Sequence, residues 1–379
     1  MTRCLLIVLD SLGVGAAPDA ADYGDEGADT LGHIIARTGL RLPALHSLGL
    51  GRILGEEGGE EGGAAPLASY GRMRERSPGK DSTTGHWEIA GAVLEEPFAV
   101  FEHFPAGLME AIEEETGLRF LGNHPASGTA IIEGLGEEHM RTGRPILYTS
   151  ADSVLQIAAH EEVIGVERLY AVCAAARRHA DAWRIGRVIA RPFTGRPGSF
   201  TRTERRHDFS MRPPRTVLDA ISEAGIAVRA VGKIADLFAG QGITETHPTG
   251  SNAQGMQATE ELWRRNEAGL VFTNLVDFDT LYGHRRDVAG YAVALAEFDA
   301  WLAGLLPRCR PEDLVIITAD HGNDPTYRGT DHTREEVPLL VLHGGRAGPL
   351  GTRDGFADIA ASLAVAFGLP PWPRGRPFL

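Results

Sequence analysis

The strongest constraint on the fold is a repeated junction: a short apolar run that stops at an acid or a histidine. Residues 5–9 (Leu-Leu-Ile-Val-Leu) stop at Asp10. Residues 270–276 (Leu-Val-Phe-Thr-Asn-Leu-Val) lead to Asp279 and His284, and residues 314–319 (Leu-Val-Ile-Ile-Thr-Ala) lead to Asp320 and His321, with His332 shortly beyond. Runs of this length and β-branched content read as buried parallel strands. In an open α/β sheet the residues just past such strands collect at one carboxyl edge, where ligands bind. Three aspartates and three histidines from distant segments are the donor set for two divalent cations.

Between these junctions helix and strand patterns alternate. Helical spacing at 215–224, 253–267, 289–306 and 355–367 is interleaved with strands at 226–231, 270–276, 314–319 and 337–342. That order predicts a mainly parallel sheet flanked by helices. The middle of the chain breaks the pattern, with helices at 105–116 and 166–182 and strands at 146–149 and 185–190. Since Asp10 belongs chemically with the C-terminal half, residues 95–212 are expected to be an inserted α/β domain, and 1–94 with 213–379 the core. Pro97 and Pro213-Pro214 mark the expected hinges. The acidic, glycine-rich stretch 55–63 reads as a solvated loop.

Composition narrows the function. The formal charge is −14, which argues against nucleic acid or an anionic membrane as partner. An anionic substrate then needs local positive charge from metals and arginines. Three scattered cysteines offer neither a disulfide framework nor a paired-cysteine metal site, so a reducing cytoplasm is the expected compartment. No run reaches the roughly 20 apolar residues of a membrane span, and no leader is read at the N-terminus.

Two segments carry the remaining chemistry. In Asp277-Phe278-Asp279-Thr280-Leu281-Tyr282-Gly283-His284, Asp279 and His284 are five apart and do not share an α-helical face. A loop folding back at Gly283 is needed to bring both to one ion, and Asp277 reads as a weaker ligand candidate or as a residue that orients that loop. In Gly79-Lys80-Asp81-Ser82-Thr83-Thr84-Gly85-His86-Trp87-Glu88, three hydroxyls in a row precede Gly-His. They form a candidate nucleophile loop, in which Thr84 also reads as the N-cap of a helix. A phosphoryl group is favoured at such a helix start.

With these segments assembled, the chain resembles the prokaryotic phosphopentomutase family of the alkaline phosphatase superfamily. The likeness rests on residues 8–15, 79–88, 148–153, 274–287, 318–324 and 329–333, in collinear order. It implies an alkaline-phosphatase-like core with an inserted α/β cap domain. It implies an isomerase that interconverts ribose 1-phosphate and ribose 5-phosphate, or the 2-deoxyribose pair, through a phosphothreonine and a 1,5-bisphosphate. By match to the motifs, Thr84 would carry the phosphate. Asp10, Asp320 and His321 would hold one manganese ion, and Asp279, His284 and His332 the other. Ser150, Asp152, Arg187, Arg202 and Lys233 would contact the sugar phosphate. Glucose 1,6-bisphosphate or ribose 1,5-bisphosphate would prime the enzyme, the partners would be small sugar phosphates, and a monomer is expected. Ser82 stands where the motif commonly has threonine. The alternatives are a metal-dependent phosphatase or sulfatase, and an enzyme like the cofactor-independent phosphoglycerate mutases.

Overall fold

The computed structural model describes residues 2–55, 65–150, 153–265 and 267–379. The chain divides into two compact units, Met1–Glu96 with Pro213–Leu379, and Pro97–Arg212. Most of the acidic stretch at 55–63 lies outside the described residues.

The first unit is built on an eight-stranded sheet. Its strands lie in the order Glu245–His247, Val228–Val231, Gly269–Leu275, Arg3–Leu9, Leu314–Thr318, Val337–Leu342, Ser69–Met73 and Gly348–Arg353. The first five are mutually parallel. Arg3–Leu9, Gly269–Leu275 and Leu314–Thr318 are buried along their whole length, which is why they read as unbroken apolar runs. The sheet departs from a purely parallel one at Val337–Leu342, which is antiparallel to both neighbours. Residues 319–336 contain no helix, and without a crossover element the chain turns back and pairs antiparallel.

The expected helices of this unit sit within a few residues of their predicted bounds, trimmed by their caps. Asn252–Arg264 starts after Ser251, whose hydroxyl accepts from the Gln254 amide, and Val288–Leu305 starts after Asp287, which accepts from the Gly290 amide. The stretch Val288–Arg308 is long and apolar enough to cross a membrane by length and composition. Tyr291, Leu295, Phe298, Leu302 and Leu305 are nevertheless fully buried in the protein, and buried Asp299 accepts from the amides of Ala44 and Leu45. It is a core helix.

The second unit has its own sheet, ordered Leu121–Pro125, Ile146–Thr149, Val154–His160, Arg187–Thr194 and Thr201–Arg202, with His207–Ser210 also paired to Arg187–Thr194. Side-chain alternation splits its core in two. Leu155, Ile157 and Val188 pack with Leu108 and Ile112 of helix Ala106–Thr116 and with Leu169 and Cys173 of helix Val166–Ala180. Tyr148, Ala158 and Phe193 pack with Ile131 and Ile132 of helix Gly128–Thr142. That last helix is not predicted from the sequence, because Gly128, Gly134 and Gly136 weaken its pattern.

Candidate metal centre and nucleophile

The acid junctions converge because their strands are neighbours. Arg3–Leu9 lies between Gly269–Leu275 and Leu314–Thr318, with Leu9 opposite Leu275 and Val8 opposite Thr318. Asp10, the 276–284 segment and Asp320 therefore leave the same edge of three adjacent strands. Ser11 takes a left-handed conformation, φ 73°, which sends its amide to Asp320 Oδ1 at 3.0 Å. A non-glycine residue held in that region costs free energy, and such strain collects at functional sites.

Two sets of ligand atoms result, each within 4.8 Å: Asp10, Asp320 and His321, and Asp279, His321 and His332. His284 joins the second through Nε2, 3.2 Å from Asp279 Oδ2. The expected loop between Asp279 and His284 is a π-helical turn, Phe278–Gly283, closed by the His284 amide donating to the Asp279 carbonyl at 3.0 Å. In a turn of that pitch, residues five apart do share a face, the point at which α-helical spacing misleads.

His284 and His321 turn Nε2 toward the acids of the cluster. His284 Nδ1 donates to the Thr330 carbonyl at 2.6 Å and His321 Nδ1 to the Gly322 carbonyl at 3.0 Å. Each bond keeps a proton on Nδ1, so Nε2 is the nitrogen that would meet a cation once it gives up its own proton.

Burial and like charge push the Asp10 carboxyl up to about 6, with Asp320 and Asp279 its repelling neighbours. Burial would lift Asp320 too, but His321 and His86 hold it below the ordinary carboxylate range. Burial would depress His321, yet Asp320, Asp10 and Asp279 raise it to about 9. Such a site calls for positive charge. Buried Asp10 Oδ1 and His332 Nε2 have no hydrogen-bond partner among the described residues. Carboxylate oxygens with neutral imidazoles fit divalent cations, and the unpartnered atoms face the other ligands.

The hydroxyl beside this cluster is Ser82, not Thr84. Ser82 Oγ lies 3.1 Å from His321 Nε2. The Thr84 hydroxyl donates to Asp81 Oδ2 at 2.6 Å, and its amide donates to Asp81 Oδ1. Asp81, rather than Thr84, is the N-cap, so helix Ser82–Ile89 begins at Ser82 and Thr84 is turned back onto its cap. The sequence reading of Thr84 as the N-cap is revised accordingly. In the sequence Ser82 is the first of the three hydroxyls of the candidate nucleophile loop and departs from the threonine usual there.

The helix reaches this position because Gly85 lacks a side chain. A Cβ there would lie 2.2 Å from the Asp320 carbonyl oxygen. Gly85→Ala is expected to force the helix off the Asp320 loop, at about 1–3 kcal/mol. Denaturant unfolding would register this as a lower midpoint with an unchanged slope.

Several orienting residues carried no clear signal in the sequence. Asn274 Nδ2 donates to Asp10 Oδ2 at 2.9 Å, and Asn323 Nδ2 donates to Asp279 Oδ1 at 2.8 Å. Buried His86 places Nδ1 3.0 Å from Asp320 Oδ2. Arg286 donates to Asn323 Oδ1 at 2.7 Å. Asp277, which the sequence does single out, accepts from the Asn252 amide and donates its own amide to Asn252 Oδ1, tying the 276–284 segment to the neighbouring helix.

Of the expected sugar-phosphate contacts, Lys233 is half-buried in the first unit and close enough to Asp10 to counter the rise of that carboxyl. In the second unit, Ser150 follows strand Ile146–Thr149 at the edge where Arg187 begins its own strand. Arg202 pairs with Phe193 near the far end of that strand, but its guanidinium reaches back to the start of helix Gly128–Thr142. Asp152 lies outside the described residues. Arg187, Arg191 and Ile189 alternate onto one face, and Arg191 is held below its ordinary value by burial and by Arg206 and Arg202. The sequence reading omitted Arg191 and Arg206, although the period of two from Arg187 points to the former.

Comparison with known proteins places the chain among related enzymes. A family model described as the metalloenzyme superfamily matches residues 2–371. The chain is 54% identical to the phosphopentomutase of Caldanaerobacter subterraneus subsp. tengcongensis, covering 100% of this chain and 98% of that protein. It is 55% identical to the phosphopentomutase of Carboxydothermus hydrogenoformans, with 98% and 97% covered. Phosphoglycerate mutase from Leishmania mexicana shares the fold, with TM-score 0.51 at 14% identity and 99% and 97% covered. The PH0037 protein from Pyrococcus horikoshii does likewise, with TM-score 0.50 at 16% identity and 97% of each chain covered.

Proposed function

Because the chain belongs to the phosphopentomutase family of the metalloenzyme superfamily, we propose that it interconverts ribose 1-phosphate and ribose 5-phosphate, or the 2-deoxyribose pair, carrying the phosphoryl group on Ser82. The observation that carries the Ser82 assignment is the 3.1 Å approach of its hydroxyl to His321 Nε2 within the acid–imidazole cluster. The reaction class is isomerisation by phosphoryl transfer.

Asp10, Asp320 and His321 would hold one divalent cation and Asp279, His284 and His332 the other, with manganese the proposed ion. Such a pair offsets the charge on the phosphoryl oxygens and lowers the pKa of the attacking hydroxyl. The remaining chemistry belongs to the protein. Ser82 opens its helix, so a phosphate on its Oγ would sit at the helix start, where a phosphoryl group is favoured. The charge on Asp81 is absorbed by the Thr84 amide and hydroxyl.

Two transfers complete the cycle. Phosphoserine 82 gives its phosphoryl group to the free hydroxyl of the bound pentose phosphate, forming a 1,5-bisphosphate. The other phosphate then returns to Ser82, regenerating the phosphoenzyme. A bisphosphate such as glucose 1,6-bisphosphate or ribose 1,5-bisphosphate would load phosphate onto unmodified enzyme. The 97–212 unit is proposed as a cap that shields the phosphoserine from water. Ser150, Asp152, Arg187, Arg202 and Lys233 are proposed sugar-phosphate contacts, the arginines suited by their planar fork to phosphate oxygens. The proposed setting is the cytoplasm, with a monomer acting on small sugar phosphates and neither nucleic acid nor membrane as partner.

Product analysis tests the reaction class: ribose 5-phosphate formed from ribose 1-phosphate supports a mutase, and release of inorganic phosphate alone would make it a hydrolase. Arg187→Gln and Arg202→Gln are each expected to raise KM about tenfold or more, one charge-assisted phosphate contact being worth about 1.5–3 kcal/mol. Steady-state kinetics with both pentose 1-phosphates would show it, and unchanged KM in both variants would remove these arginines from the phosphate site.

A further inference from the structure

Immediately after His332 come four polar residues, Thr333-Arg334-Glu335-Glu336, and all four are buried. Polar side chains are rarely buried in succession, because each must find partners. Here each addresses a different segment around the metal centre. Thr333 bridges to Gly322 through paired backbone hydrogen bonds. Glu335 accepts from the Thr30 amide and hydroxyl, the Thr333 hydroxyl and the Gly15 amide. Glu336 accepts from Arg72 and Arg74.

Arg334 is the most heavily engaged. Its Nη1 donates to the carbonyls of Ser77 at 2.9 Å and Gly79 at 2.5 Å and to Glu75 Oε2 at 2.7 Å. Its Nη2 donates to the Glu75 carbonyl at 2.6 Å and Asp19 Oδ2 at 2.9 Å, and Nε faces both Asp19 oxygens at 3.2 Å. Every guanidinium nitrogen is occupied, and the Arg334 and Glu75 side chains are each only 3% exposed. The segment held is the run that leads through Lys80 and Asp81 to Ser82. Lys80 adds a tie between Asp25 and Asp331, at 2.9 and 3.3 Å, and Asp25 Oδ2 in turn accepts from the Arg334 amide.

We propose that Arg334 is a positioning residue: its fork locks residues 75–79 and so fixes the Ser82 hydroxyl against the metal ligands. This rests on the reading of Ser82 as phosphate carrier. Three carbonyls and two carboxylates from different directions match a planar five-donor fork and not the point charge of a lysine ammonium. A shift of about 1 Å in a reacting group can cost about a hundredfold in rate.

The test is Arg334→Lys in the full-length, Mn²⁺-loaded protein. The expected result is kcat lowered about a hundredfold, with KM for ribose 5-phosphate and the Mn²⁺ affinity from titration within about threefold of the parent. Phosphorylation by glucose 1,6-bisphosphate, followed by mass spectrometry, should slow in parallel. A kcat within about threefold of the parent would overturn the role, as would a loss that tracks the unfolded fraction or the Mn²⁺ affinity. Should Arg334→Lys not fold, Asp19→Asn releases only the half-exposed outer arm. It is then expected to lower kcat about fivefold at an unchanged melting temperature, and an unchanged kcat would overturn the role. Peptide mapping separates the two readings. Phosphate found away from Ser82 overturns the nucleophile assignment, whereas phosphate arriving on Ser82 of Arg334→Lys at the parent rate overturns the positioning role alone.

Discussion

Ser82→Ala is expected to lose turnover by at least about 10³-fold and to accept no phosphate from a bisphosphate donor, because removing a nucleophile leaves only binding and electrostatic assistance. The fold should survive, since Ser82 begins its helix and the cap that starts it belongs to Asp81. Thr84→Val is the paired variant. The Thr84 hydroxyl donates to Asp81 Oδ2, so its loss weakens the cap but leaves Ser82 Oγ beside His321. Thr84→Val should therefore lose stability of about 1 kcal/mol and retain phosphoenzyme formation. Whole-protein mass spectrometry after incubation with glucose 1,6-bisphosphate decides between the two hydroxyls. A phosphorylated, active Ser82→Ala together with an inert Thr84→Val would return the nucleophile to Thr84.

The second large effect concerns the cations. Chelation is expected to abolish activity, with Mn²⁺ restoring it, and Asp320→Asn is expected to weaken Mn²⁺ binding at least about a hundredfold. Asp320 is the centre of the first set: the Ser11 amide, His86 and His321 all face it. Removing its charge while keeping its shape should leave Asp10 and Asp279 in place. Titration calorimetry would measure the loss, and undiminished affinity would detach Asp320 from the metal site.

The pH dependence has a defined sign. In metal-free protein both Asp10, at about 6, and His321, at about 9, lie above their ordinary values. A raised folded-state value stabilises below the unfolded value and loses that stability as pH climbs through the folded one. Metal-free protein should therefore lose stability from about pH 4 to 6 through Asp10 and from about pH 6.5 to 9 through His321. Cation binding displaces those same protons and so gains affinity over the same range. The gap in melting temperature between Mn²⁺-loaded and metal-free protein should widen from pH 6 to pH 9, and a gap that narrows would contradict the placement of His321 among the ligands.

The acid junctions were legible because each is a local event. A buried central strand has to be apolar on both faces, and the first polar residue past its end has to leave the sheet at a known edge. Asp10 and Asp320 announce themselves in that way, and Asp279 follows two residues after Asp277, the first polar residue past Leu275. Helices with strong caps, such as those after Ser251 and Asp287, were equally local. Residues of less regular context were not. The π-helical turn at Phe278–Gly283 contradicts the α-helical spacing from which Asp279 and His284 were judged. Helix Gly128–Thr142 is carried by packing against Tyr148 and Phe193 rather than by its own propensity.

By itself the sequence determined the strand-to-acid junctions, the alternation that builds the sheet and the type of donor that gathers at its edge, since these follow from burial and periodicity within a few residues. Only the tertiary structure decided which of three adjacent hydroxyls meets His321, how Ser11 is bent toward Asp320, and why Arg334 is buried. Those outcomes depend on groups that lie hundreds of residues apart in the chain and become neighbours only when Arg3–Leu9 slots between two later strands.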